Sequence, residues 1–232
     1  MIQAILFDFN GVIIDDEPLQ LKAYQEVLGA EGITLTEEDY YGALGTDDAT
    51  FVRAAFARAG RPPDDELMRA VVERKSEAHR KLIGGEMPLF PGVVTFAKAC
   101  ARTYPLGIVS MARRAEIDYV LDRATLNGLF SVIVSAEEER PCKPDPYCYR
   151  RALELLNEKR SEAHVLPLQP AECLVIEDAP PGVESARAAG MHTLGVTNTV
   201  SEGALRAAGA EVVTASLADW TLDAVHHVFN KR

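Results

Sequence analysis

The sequence predicts an α/β fold, a parallel sheet with helices on both faces, interrupted just after its first strand by a block of helices. Two observations predict it. From Pro91 onward, short Val/Ile/Leu-rich runs alternate with helical patterns, as buried parallel strands and their crossover helices do. Before that, "MIQAILFDF" reads as one isolated strand, and residues 16–83 then show helical spacing with no strand among them. With 232 residues, 47% of them hydrophobic, the chain can fill a core domain that carries a smaller inserted one.

The elements follow in order. Residues 2–8 form the first buried strand. "EPLQLKAYQEVLGAEG" (17–32) spaces Leu19, Tyr24, Val27 and Leu28 for a helix, and Gly29 and Gly32 stop it. "DDATFVRAAFARAG" (47–60) begins at an Asp cap and ends at Gly60. "DDELMRAVVERKSEAHRKLIGG" (64–85) begins with acids and ends with basic residues, the order the helix dipole favours. Helices at 92–103, 113–126, 146–157 and 181–190 then precede strands at 105–110, 130–135, 173–178 and 192–197, and two more helices close the chain. Residues 158–171, with two prolines, read as a surface excursion. The division expected is a Rossmann-like core of residues 1–15 and 84–232 with a helical cap of residues 16–83.

Composition narrows the function. A net charge of −11 repels nucleic acid and anionic membranes, and no apolar run nears the ~20 residues of a membrane helix. The start lacks a basic leader, so no signal peptide is expected. Cys100, Cys142, Cys148 and Cys173 lie far apart, as reduced thiols of a cytoplasmic protein do, and no histidine falls at zinc-ligand spacing near Cys142 and Cys148. Monomer or weak homodimer is the default expectation. A small anionic substrate needs its own positive charge in the site, from a metal or from placed cations.

The ends of the predicted strands carry the chemistry, where open α/β sheets bind ligands. Asp8 ends the first strand. Alone it would be an ordinary turn acid; in a site it is a carboxylate nucleophile or a metal ligand, with Gly11 allowing the tight turn that brings the Asn10 carbonyl to the same ion. Ser110 ends "LGIVS" and suits either a helix cap or a donor to a phosphate oxygen. Lys143, in "RPCKPDPY", stands between two prolines that stiffen its loop, so its ammonium can neutralise a transferring group from a fixed place. Glu177 and Asp178 end "CLVIED" and suit either a helix start or Mg²⁺, which typically takes one or two carboxylates.

Each signal alone is weak, but nucleophile, hydroxyl, lysine and acid pair in this order are specific. The stretches "FDFNGVIIDDEP", "IVS", "KPDPYCY" and "VIEDAPPGVESARAAGM" resemble the haloacid dehalogenase superfamily, in its branch of phosphatases and β-phosphoglucomutase-like enzymes with a helical cap, over nearly the whole chain. The resemblance implies that Asp8 attacks phosphorus to form an aspartyl-phosphate, and that Ser110, with its neighbour Met111, and Lys143 hold the phosphoryl group. It implies Mg²⁺ on the Asp8 carboxylate, the Asn10 backbone carbonyl and Asp178, with Glu177 nearby. Glu17 matches the family's D-x-E-P stretch, Gln20 stands where many members have His, and Thr46 in "LGTDD" falls where the cap often lines the site.

Asn10 departs from the pattern. Members of this branch have Asp there, which protonates the leaving alcohol and then activates water. An amide keeps the backbone contact to the metal but has no titrating proton near neutral pH. The first expectation is therefore a Mg²⁺-dependent phosphatase for a small phosphorylated metabolite, slowed at position 10. The alternatives are a phosphosugar mutase or a P–C bond hydrolase on the same scaffold, and a phosphate-ligand binding or regulatory protein with an impaired site. The P–C hydrolases use a cap lysine as a Schiff base, and Lys22, Lys75 and Lys81 fall in no motif that identifies one. Haloacid dehalogenases proper need no metal, and the Glu177-Asp178 pair speaks against them.

Overall fold

The computed structural model describes residues 1–85, 87–138 and 141–229. Its sheet has six parallel strands among the described residues: β1 (Ala4–Phe7), β2 (Leu106–Val109), β3 (Phe130–Val134), β4 (Cys173–Glu177), β5 (His192–Val196) and β6 (Val212–Thr214), in the order β3-β2-β1-β4-β5-β6. The chain runs outward from β1 through β2 to β3, then crosses back to lay β4 on the other side of β1. Phe7 pairs in register with Ile108 on one side and Ile176 on the other, so β1 is the centre of the sheet.

Burial on both faces explains why β1 is apolar at every position. Ile5 and Phe7 pack into one layer with α5 (Val93–Cys100), α6 (Arg114–Arg123) and α10 (Leu222–Phe229). Ala4 and Leu6 pack into the other with α7 (Tyr147–Glu162) and α8 (Pro180–Ala188). The short α9 (Glu202–Ala208) covers β5 and β6 beside α8.

Between β1 and α5 stand α1 (Glu17–Ala30), α2 (Glu37–Tyr41), α3 (Asp48–Arg58) and α4 (Asp65–Leu82), which share an apolar cluster of their own that includes Tyr24, Leu28, Phe51, Phe56 and Val71. The expected cap is present, Asp47 accepting from the Thr50 N–H at 2.7 Å, and of the acids that start α4, Asp64 caps it by accepting from the Leu67 N–H at 2.8 Å. His79, Arg80 and Lys81 occupy the last turn of α4, at the negative end of its dipole.

Three details differ from expectation. α7 runs on to Glu162 rather than stopping near 157, because the polar run "NEKRSE" is helix-forming and Arg151 pairs with Glu154 and Glu158 along its exposed side. The five-residue α2 and the three-residue β6 were not expected, each too short for a periodic signal. Among the described residues, no helix is long and apolar enough to cross a membrane.

Candidate active site

The residues singled out at strand ends meet at the carboxyl edge of the sheet. Asp8 follows β1, and its backbone N–H still donates to Ile176 O at 2.9 Å. Ser110 follows β2, buried, with its Oγ accepting from the Ala112 N–H at 3.0 Å. Lys143 comes from the loop between β3 and α7 and follows a strand end, as expected. Its ammonium donates to Asp8 Oδ1 at 2.9 Å, to Glu177 Oε1 at 2.6 Å and to Val109 O at 3.2 Å.

Glu177 is the last residue of β4 and Asp178 the next; α8 then starts without a side-chain cap, so neither acid is used as a helix cap. Glu177 faces Lys143 and accepts from the Tyr149 hydroxyl; the ammonium also stands 5.3 Å from the centre of that ring. Gly182 is needed beside it, since a Cβ there would lie 1.9 Å from the Glu177 carboxyl. Gly11 has φ +76° and a Cβ there would lie 2.0 Å from Asp178 Oδ2, so both conformation and close approach demand glycine.

The electrostatics follow from three carboxylates crowded together, two of which hold Lys143. Burial, then Glu177, push Asp8 up to about 7, against the pull of Lys143. Burial, then Asp8 and Glu177, hold Asp178 well above the ordinary carboxylate range, opposed by a hydrogen bond from Thr199. Burial works against the charge on Lys143, but Asp8 and Glu177 outweigh it and keep the ammonium firmly charged. Asp8, Glu177 and Asp178 place oxygens within 4.8 Å of one another. An all-oxygen set with surplus negative charge fits a hard divalent cation, which would relieve the mutual repulsion that raises Asp8 and Asp178.

The insertion closes the other side of the pocket. Glu17, at the start of α1, accepts from the Tyr40 hydroxyl; burial first and then Asp16 push it up to about 7. Thr46 and Met111 both line the pocket, and the Thr46 hydroxyl donates to Ala43 O at 2.8 Å within its own loop. That loop touches the core at Gly45, whose Cβ would lie 2.9 Å from Pro181.

Sequence reasoning missed what surrounds Asn10. Its Nδ2 donates to both oxygens of Asp16, each at 3.0 Å. Asp16 is fully buried, also accepts from Gln20 Nε2 at 3.0 Å, and has His79 Nε2 2.8 Å from Oδ2, off the ring's N–H direction. An ionised carboxylate only accepts, so the amide must turn its NH₂ to Asp16, and Oδ1 is the atom left for the pocket that Asn10 lines. Asp16 stands at the N-cap position of α1, yet its side chain makes no capping bond. The usable signal lay on α4, where Val71, Lys75, Ala78 and His79 share the buried face: polar side chains on an apolar stripe. Lys75 reaches the pocket from there, 2.9 Å from Asp48 Oδ1 and 3.7 Å from Glu116 Oε1.

Comparison with known proteins places this geometry. The sequence pattern of the haloacid dehalogenase-like hydrolases matches residues 2–190. Protein SUPPRESSOR OF QUENCHING 1, chloroplastic, of Arabidopsis thaliana is 32% identical over 219 residues, covering 91% of this chain but only 19% of that protein. Fructose-1-phosphate phosphatase YqaB of Escherichia coli (strain K12) is 29% identical over 192 residues, covering 83% of this chain and 95% of the relative. Among solved structures, β-phosphoglucomutase from Clostridium difficile superposes with a TM-score of 0.85 over 100% of this chain and 98% of that one, at 21% identity, which is likeness of fold.

Proposed function

The chain belongs to the haloacid dehalogenase-like hydrolases, and from that premise we propose that it is a Mg²⁺-dependent phosphohydrolase acting on a small phosphorylated metabolite through an aspartyl-phosphate on Asp8. The observation that carries this reading is the Lys143 ammonium, fixed between Asp8 and Glu177 at the floor of a pocket that Ser110 and Asp178 also line. The names of relatives such as the fructose-1-phosphate phosphatase support it.

In the proposed reaction Lys143 favours the ionised form of Asp8 against burial and Glu177, and orients its carboxylate toward phosphorus. The Asp8 oxygen forms a bond to phosphorus as the bond to the departing oxygen breaks. Lys143 and the Ser110 hydroxyl bind phosphoryl oxygens. Glu177 acts through Lys143: with Tyr149 and Val109 O it leaves the ammonium one place to stand. Asp8, Asp178 and the Asn10 main-chain carbonyl would hold the Mg²⁺, with Glu177 beside it, and when bound the ion neutralises charge on the transferring group. The departing oxygen takes its proton from solvent; water then attacks phosphorus, the Asp8–phosphorus bond breaks, and inorganic phosphate and the free Asp8 carboxylate result.

Asn10 offers its Oδ1 as a hydrogen-bond acceptor, able to orient a hydroxyl or a water but not to take its proton. General acid–base catalysis is typically worth ~10²–10⁴-fold. Alkyl phosphates should therefore turn over slowly, and acetyl phosphate or p-nitrophenyl phosphate, whose leaving groups need no acid, much faster. Schiff-base chemistry on Lys75 is disfavoured, because Asp48 and Glu116 outweigh burial and hold its amine protonated.

The test is phosphate release and mass-spectrometric detection of phospho-Asp8, with and without Mg²⁺, for the parent, Asp8→Ala and Asn10→Asp. Mg²⁺-dependent turnover that vanishes in Asp8→Ala supports the reading. No release and no phosphorylation in parent and Asn10→Asp alike leaves a phosphate-binding protein instead.

A further inference from the structure

Hydrolysis of an acyl-phosphate is helped by a group that takes a proton from the attacking water, and the Asn10 amide cannot do it. Among the described residues six acids line the pocket: Asp8, Glu17, Asp48, Glu116, Glu177 and Asp178. Asp8 is the nucleophile of the reading above, and Glu177 and Asp178 belong with it to the oxygen cluster that suits a cation. Asp48 and Glu116 both pair with Lys75, and the second oxygen of each is sealed from solvent. Asp16, fully buried, is spent on holding Asn10.

Glu17 differs from all of these. Its backbone is held in the first turn of α1, where Pro18 stiffens the chain. The Tyr40 hydroxyl donates to Oε2 and fixes the orientation of the carboxylate. Oε1 makes no hydrogen bond among the described residues, and it is not sealed from solvent as the second oxygens of Asp48 and Glu116 are. With Oε2 accepting from Tyr40, a proton taken up by this carboxylate rides on Oε1.

Glu17 also shares the field of the reacting groups. Burial first, then Asp16 and more weakly Asp8, push it up to about 7, against the Tyr40 hydrogen bond and Lys75. Its charge in turn helps to raise Asp178 and Tyr41. A carboxyl that titrates near neutral pH is matched to proton transfer with water.

We propose that Glu17 is the general base of the dephosphorylation step, taking the proton that Asn10 cannot. This rests on the phosphohydrolase reading above and adds a residue to that site. Asn10 Oδ1 accepts one proton of the attacking water and orients it, and Glu17 Oε1 takes the other. The electron pair of that O–H bond becomes the new O–P bond. The Asp8–phosphorus bond breaks with its pair returning to the Asp8 carboxylate, and Glu17 passes the proton on to solvent.

The test loads Asp8 from acetyl phosphate with Mg²⁺ present, removes the excess, and follows the lifetime of phospho-Asp8 by mass spectrometry from about pH 5 to about pH 9. In the parent the lifetime should shorten as pH rises and level off once Glu17 is ionised. In Glu17→Gln, which keeps an acceptor for Tyr40, it should lengthen at least about tenfold on that plateau and lose its dependence on pH. In Tyr40→Phe, which removes a hydrogen bond favouring the ionised carboxylate, the profile should move to higher pH. The acetyl group is gone before the measurement, so a Glu17 that only bound substrate would leave the lifetime unchanged. Lifetimes within about twofold in Glu17→Gln and parent at every pH overturn the inference, and so does an unmoved profile in Tyr40→Phe should the first variant not fold. If the parent forms phospho-Asp8 and Glu17→Gln loses it at the parent's rate, only this inference falls. If neither the parent nor Asn10→Asp forms phospho-Asp8, the phosphohydrolase reading falls and takes the inference with it.

Discussion

Restoring the acid at position 10 should not by itself restore full acid–base catalysis. Asn10 Nδ2 sits 3.0 Å from both oxygens of Asp16, so Asn10→Asp brings a second carboxylate against a buried one. Two unit negative charges about 3 Å apart repel by about 5 kcal/mol at an effective dielectric near 20. The pair relieves this by holding one proton between them, or by the new side chain turning off the pocket. In either case the new acid is not free to give a proton to a leaving group. The exchange Asn10→Asp with Asp16→Asn avoids the clash. It keeps one amide-to-carboxylate hydrogen bond with donor and acceptor interchanged, and puts the carboxylate on the pocket side. Turnover of an alkyl phosphate should rise less than about tenfold in Asn10→Asp and by about 10² or more in the exchange, within what acid–base catalysis can supply. The phospho-Asp8 lifetime, followed by mass spectrometry after loading with acetyl phosphate, should shorten in the same order. The coupling between the two positions should exceed about 1 kcal/mol, as expected for residues in direct contact. If Asn10→Asp alone matches or exceeds the exchange, then Asp16 does not govern position 10.

The remaining predictions concern the charges around the pocket. Lys143→Met should abolish phospho-Asp8 and lower stability by about 3 kcal/mol, because it strands the buried Glu177, and Lys143→Arg should not rescue it; thermal denaturation and phosphorylation assays read both. Saturating Mg²⁺ should raise the melting temperature by roughly 5–10 °C at about 100 times its dissociation constant, and Asp178→Asn should remove most of that shift. Glu17, half-buried and raised from 4.5 to about 7, is ionised less readily in the folded state. Its contribution to stability is thus complete below about pH 4.5 and is lost as pH rises through about 7. Denaturation in EDTA across that window should show Glu17→Gln gaining about 2 kcal/mol on the parent by pH 8, and an unchanged difference across the window would remove the assignment.

The parts of the fold that were legible in the sequence are those where one physical demand acts on consecutive residues. β1 is buried on both faces, so "AILF" is apolar throughout, and the same holds for β2 and for β4 up to its last residue, Glu177. α3 and α4 announce themselves by Asp47 and Asp64, whose caps act over three residues. β6 and α2 escaped because three and five residues give no period to read. Asp8, Ser110, Lys143 and Asp178 could be anticipated because each follows an apolar strand, and the sheet alone brings strand ends together.

The partners of Asn10 obey a different logic. Asp16 sits where the chain leaves the core for the insertion, and His79 near where it returns, 63 positions later. No local pattern joins them; α1 and α4 meet only because their apolar faces pack together in the insertion's own core. The residue missing from position 10 as an acid therefore has a chemical counterpart six residues on, buried instead of facing the pocket. A reading confined to "DFNG" finds a site deprived of a carboxylate. Packing shows that the carboxylate is present but turned inward, holding the amide by its NH₂. Position 10 is thereby fixed as an acceptor toward the pocket it lines. On the phosphohydrolase reading, this favours a substrate whose leaving group departs with little help.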